Sequence, residues 1–330
     1  MSYKVSNTAR IKDNTNVVFK NIIATTREVI QPSVVNGYAS GGSSSINAYD
    51  KNIIQKYPFS SDANSTDVGD LTQPKGGAYG GTSSENHGYP TGGHSNPPST
   101  GIKLNEITRF PFAVDANATD VGDLTVARMN KANQQTTTYG YTSGGFESPT
   151  GNNNVIDKFL FSSTSNAIDV GNLTDTRTRG AGASSSTHGY TAGGHAPPLP
   201  APAAKTIDKF PFSSDGNASD VGDLTLQRHA AAPQTSPTHG YASGGQNPST
   251  GNGVNIIDRF AFAVDANASD VGDLLTPIFA ASGSSSSTHG YTAGGDNSIQ
   301  KFPFATNANS TDVGDLLAPQ DLVTAEGHEG

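Results

Sequence analysis

Six close copies of one oxygen-rich phrase end at Leu71, Leu124, Leu173, Leu224, Leu274 and Leu316; the copy before Leu224 reads SDGNASDVGD. Of the 23 aspartates in the chain, 15 lie in these copies. The spacing D-x-N-x-x-D-x-x-D offers hard oxygen ligands of the kind calcium takes. It lacks the position-five ligand and the distal glutamate of an EF-hand loop. The competing reading is a tight turn in which Asp and Asn cap their own backbone and Gly permits the bend. That architectural reading is adopted, with calcium in the turns as the alternative and no other cofactor expected.

Histidines form a second candidate set. His87, His188, His239 and His289 each precede a Gly-Tyr pair, where Asn36 and Tyr139 stand in the other two copies. Equivalent positions in separate repeats lie too far apart to share an ion unless they line an axis, so packing or hydrogen bonding is expected of them. The cations Lys56, Arg109, Lys158, Lys209, Arg259 and Lys301 recur once per repeat. They are expected to pair with nearby aspartates for a modest gain. Sequons at Asn64, Asn117, Asn217, Asn267 and Asn309 arise from the turn itself.

Catalytic patterns are missing. There is no cysteine, which removes disulfides, thiolate zinc sites and thiol nucleophiles. The glutamates are Glu28, Glu85, Glu106, Glu147, Glu326 and Glu329, none in a repeated position. No enzyme is expected. A net charge of −9 opposes binding to nucleic acid or an anionic membrane surface. No apolar run approaches the roughly 20 residues of a spanning helix, and MSYKVSNTARIKD lacks the apolar core of a secretory signal. A soluble protein, outside standard secretion and without membrane insertion, is expected.

The elements that carry these residues follow from the period. The Gly-Tyr pairs at Gly37, Gly88, Gly140, Gly189, Gly240 and Gly290 are spaced by 51, 52, 49, 51 and 50 residues. Each repeat has a small-residue segment, a GYxxGG segment, a stretch such as IDKFPF with period-two alternation, a polar turn and DVGDL. The proline of IDKFPF suggests a bulge or an unpaired amide there. Four short strands per repeat of about 50 residues is the arithmetic of a propeller blade. The expected fold is all-β, a six-bladed β-propeller spanning residues 24–319. An N-terminal arm (1–23) precedes it and a short acidic tail (320–330) follows, and the ring is expected to close without sharing strands between the termini.

A glycine doublet two residues after a tyrosine resembles the second strand of a kelch repeat, and Arg177–Ala183 and Arg228–Ala232 resemble its basic, small-residue first strand. The resemblance covers about nine-tenths of the chain and implies a kelch-like propeller. One departure is that the kelch tryptophan is missing, with Val221 and its equivalents near that place. Kelch-like oxidases resembling galactose oxidase need a tyrosine–cysteine crosslink, which this chain cannot form.

The loops after the double glycines vary most: SSSINAYDKN, HSNPPSTGIKLN, FESPTGNNN, HAPPLPAPAAK, QNPSTGNGVN and DNS. In a propeller they emerge on one face, the arrangement of a recognition surface. Tyr49, His94, Phe146, Glu147, His195, Asn247 and Asp296 are the candidate ligand-binding residues there. The repeat NVIDKF…DVGDLT…THGYTAGG resembles repeat-bearing structural proteins of marine tailed phages, cyanophages in particular. That resemblance implies a virion location at a tail or fibre, with other virion proteins, copies of itself or a host-surface glycan as partners. In the arm, Val17, Val18, Phe19, Ile22 and Ile23 would add as a strand to a neighbouring subunit. The alternative is a cellular kelch-like adaptor for protein–protein interaction.

Overall fold

A computed structural model describes residues 36–43, 50–77, 81–95, 102–147, 149–195, 204–317 and 324–326. The chain divides into two units, Met1–Ser33 and Val34–Gly330. Tyr49 and the arm residues Val17, Val18, Phe19, Ile22 and Ile23 lie outside the described residues. Among those described there is no helix, and hence none able to cross a membrane.

Six four-stranded antiparallel sheets form a six-bladed propeller. The fourth blade runs outward from Ala181–Ser184 through His188–Ala192 and Thr206–Pro211 to Ser219–Asp223. The innermost strands contact one another in sequence and close a ring around the axis. Crowding at that ring explains their small residues. A Cβ built on Gly283 would fall 1.8 Å from the carbonyl oxygen of Pro233 in the neighbouring blade.

Blades are joined by aromatic side chains. The tyrosine of each Gly-Tyr pair stacks on the second aromatic of the next blade's F-x-F segment. Centroid distances run from 4.5 Å for Tyr291 and Phe59 to 4.9 Å for Tyr190 and Phe262. The series Tyr38–Phe112, Tyr89–Phe161, Tyr141–Phe212 and Tyr241–Phe304 completes the circle. The glycine before the tyrosine makes room for the first aromatic of its own blade: a Cβ on Gly189 would meet Phe210 Cζ at 2.3 Å. These buried and half-buried rings occupy the blade interfaces of a chain that has no tryptophan.

The acidic phrase is the outer clasp. Asp220 accepts the amide of Gly222, and equivalent bonds recur in all six blades at 3.0–3.1 Å. The asparagine of each turn reaches the preceding blade, as Asn267 Oδ1 accepts the amide of Asp223 and Asn64 Oδ1 that of Asp315. Gly222, at φ 154°, sits where a Cβ would lie 2.5 Å from the Ala266 carbonyl oxygen. The repeated aspartates and asparagines thus serve blade-to-blade closure. Lys56–Asp115, Lys158–Asp215, Lys209–Asp265 and Lys301–Asp62 add ion pairs between neighbouring blades at 2.5–3.0 Å. Partly exposed pairs of this kind contribute about 0–1 kcal/mol each. Arg259 meets Asn307 instead, because the last phrase carries Asn where four others carry Asp.

Of the two readings of the IDKFPF proline, the bulge is not found at that residue. Pro211 ends its strand and pairs opposite His188; the bulge lies further upstream. In the third blade Ile156 faces Gly171 while Asp157 faces Asp169, so Val170 is the extra residue. That kink turns Asp169 back toward the Gly171 amide.

Closure also differs from the expectation. Thr324–Glu326 pairs antiparallel with Asn36–Ser40 and supplies the innermost strand of the first blade. Residues near both ends of the propeller therefore share one sheet, and part of the expected tail belongs to the ring. By repeat register the preceding segment Val29-Ile30-Gln31-Pro32 would fill this place. The other innermost strands, such as Ala181–Ser184 and Ser282–Ser285, are built of small residues, and Thr-Ala-Glu is closer to them in bulk than Val-Ile-Gln-Pro.

Candidate binding face at the mouth of the channel

In a four-stranded antiparallel blade, the link between the second and third strands leaves from the same end as the link to the next blade. The variable loops thus share an end with the segments that open each innermost strand. Isolated bridges pin them together: Gly76 with His94, Met129 with Phe146, Thr178 with His195 and His229 with Gln246.

Beside these bridges the backbone forms an arc through five blades. The amide of Asn130 donates to the Gly77 carbonyl, Arg179 to Asn130, Ala230 to Arg179 and Ala280 to Ala230, at 2.5–3.0 Å. All five residues have φ between 57° and 68°. Left-handed backbone at arginine and alanine is costly, and it persists here because the arc of hydrogen bonds over-determines it.

The variable loops interlock across blades. Lys103, in the second blade's hairpin of His94–Ser95 with Ile102–Lys103, lies 5.8 Å from the ring centre of Phe146 in the third. Asn152 of the third blade donates to the His195 carbonyl of the fourth at 2.8 Å. Phe146–Glu147 pairs with Gly151–Asn152, and Glu147 accepts a bond from Asn153.

The candidate residues separate into two groups. His94, Phe146 and His195 sit on this interlocked rim, but not together. His94 Nε2 approaches Asp50 Oδ1 at 3.5 Å, whereas His195 meets His229, with ring centres 5.5 Å apart. Asn247 and Asp296 are engaged within their own turns. Asn247 Oδ1 accepts the Ser249 amide, and Asp296 Oδ1 accepts both the amide and hydroxyl of Ser298. The Gly-Tyr histidines pack as expected, His188, His239 and His289 each bonding a neighbouring threonine through Nδ1 at 2.8 Å. No group of three or more His, Asp or Glu with metal-holding geometry occurs among the described residues.

Sequence reasoning missed Asn130, Arg179 and His229. The available signal was register. Counting from the cation that opens each innermost segment, the next position reads Gly76, Met129, Thr178 and His229, and the one after it Gly77, Asn130, Arg179 and Ala230.

Burial pushes His229 down to about 4, with the Arg179 charge and then His195 adding to the effect. Burial first, then Arg179, also lowers His195. The other five described histidines are depressed too, each mainly by burial. A folded pKa below the unfolded 6.5 means that the unfolded chain binds the extra proton. Stability is then full above pH 6.5 and falls as pH drops toward 4, by about 3 kcal/mol for His229 alone. Urea unfolding at pH 7 and pH 4.5 should show a smaller acid loss in His229→Gln than in the unmodified protein. Equal losses in the two would contradict this assignment.

No family model matches the chain, and no curated protein matches it.

Proposed function

We propose that the protein is a non-enzymatic recognition module, a tail- or fibre-associated virion component that holds a host-surface glycan or a neighbouring virion protein against the loop-bearing face. The observation that carries this reading is the interlocked rim. Loops of divergent sequence from the second, third and fourth blades touch one another on a ring clasped at every blade interface. Such a scaffold holds variable side chains in fixed relation, which lowers the ordering cost of binding. The virion setting is supported by the resemblance of THGYTAGG and DVGDLT to repeats in marine phage structural proteins.

Loop exchange tests it. Residues 146–155 of the third blade and 246–256 of the fifth would each be replaced by the Asp-Asn-Ser of the sixth. The melting temperature should stay the same, since the sixth blade already folds with that connection. Retention on an array of bacterial surface polysaccharides should fall about tenfold or more, as for loss of a central contact. Retention unchanged by both exchanges would move the site off this face.

A further inference from the structure

In near-identical repeats, the departures carry information. The arc position at the channel mouth demands left-handed backbone in every described copy, and Gly77, Asn130, Ala230 and Ala280 meet that demand without a charge. The fold therefore does not require a cation there, yet the fourth blade places Arg179 at it. One position earlier, where other blades carry Gly76, Met129, Thr178 and Phe279, the fifth blade carries His229. These departures lie in adjacent blades and converge on His195, whose ring meets that of His229 edge to face.

A second observation points to a ligand. His229 Nδ1 is buried without a hydrogen-bond partner, on a residue only 5% exposed. Unpartnered polar atoms at such depth are rare and mark a place to be completed from outside. Arg179 and His195 beside it are half-buried and reachable from solvent. The combination has a definite chemistry. A guanidinium presents a planar fork that matches a carboxylate. Neutral imidazoles offer donors and acceptors together, the complement of hydroxyl groups.

We propose that this sector of the mouth binds a carboxylate flanked by hydroxyls, as an acidic sugar presents it. Arg179 clamps the carboxylate, and His195 and His229 take the hydroxyls. This rests on the reading of the loop-bearing face as the ligand face and names the class of ligand.

Calorimetric titration of the full chain with glucuronate, glucose and acetate tests it. Glucuronate should bind saturably, with glucose and acetate each about tenfold weaker or more, since each lacks half of the recognised chemistry. Arg179→Asn should abolish the glucuronate heat without loss of fold, because asparagine already holds this arc position in the third blade at φ 57°. Glucuronate binding no better than acetate or glucose, or undiminished in Arg179→Asn, would overturn the proposal. The exchanges remove Asn152 and Gln246, which hold the His195 and His229 segments, so the acidic-sugar claim is judged on the protein with its own loops. If the exchanges lower array retention while the unmodified protein ignores glucuronate, the acidic-sugar site falls and the recognition face stands.

Discussion

Asp258→Gln alone should cost about 3–5 kcal/mol of stability, because it strands a buried arginine without its carboxylate. Arg228 Nη2 lies 3.1 Å from Asp258 Oδ2, and both side chains are fully buried. Asp258 also accepts the amide and hydroxyl of Thr225. The same set recurs as Thr125, Arg128 and Asp157, and as Thr174, Arg177 and Asp208. Burial pushes Asp157 up and Arg128 down, their attraction opposing both shifts. Such a pair gives little net stability when intact and a large penalty when half removed.

The chain itself contains the compensated alternative. In the sixth blade Gln300 replaces the aspartate, Ile278 the arginine and Leu275 the threonine, while Ser310 stands where Ala268 does in the fifth. Gln300 Oε1 accepts the Leu275 amide and the Ser310 hydroxyl, each at 2.8 Å. Gln55 repeats this with Leu317 and Ser65. A carboxylate thus accompanies arginine, threonine and alanine, and the glutamine of the sixth blade accompanies isoleucine, leucine and serine. The fourfold variant Thr225→Leu, Arg228→Ile, Asp258→Gln, Ala268→Ser should recover to within about 1 kcal/mol of the unmodified protein, as coupled neighbours do. Guanidinium unfolding of the single and fourfold variants decides it. A single variant within about 1 kcal/mol of the unmodified protein would show that the buried pair is dispensable.

Removing residues 320–330 should lower the melting temperature by roughly 3–7 °C without unfolding the propeller. The lost strand pairs Thr324, Ala325 and Glu326 with Ser40, Ala39 and Tyr38. Three such residues represent about 2–4 kcal/mol of backbone hydrogen bonds and packing. Global collapse is not expected, since the sixth blade still meets the first through Asn64 on Asp315, Lys301 on Asp62 and Tyr291 on Phe59. A synthetic peptide of residues 320–330 should restore part of the loss by adding back as a strand. An unchanged melting temperature in the truncated protein would mean that the terminal strand does not close the ring.

The amino-acid sequence determined whatever is local and repeated. Blade number follows from six Gly-Tyr pairs, and the role of the acidic phrase follows from turn chemistry that Asp, Asn and Gly impose wherever they stand. Strand identity follows from period-two alternation in IDKFPF. The same alternation hid Asp208, which looks solvent-facing beside Ile207 yet is fully buried. Blades stack face to face, so both sides of a middle strand are covered, and only packing reveals that the second side needs an arginine. Ring closure was equally hidden, because Thr-Ala-Glu carries no copy of the repeat and its partner lies nearly 300 residues away. The convergence of Arg179, His195 and His229 was decided by tertiary structure for the same reason. Residues from adjacent blades meet only where the ends of the innermost strands crowd around one axis, and no spacing along the chain encodes that point.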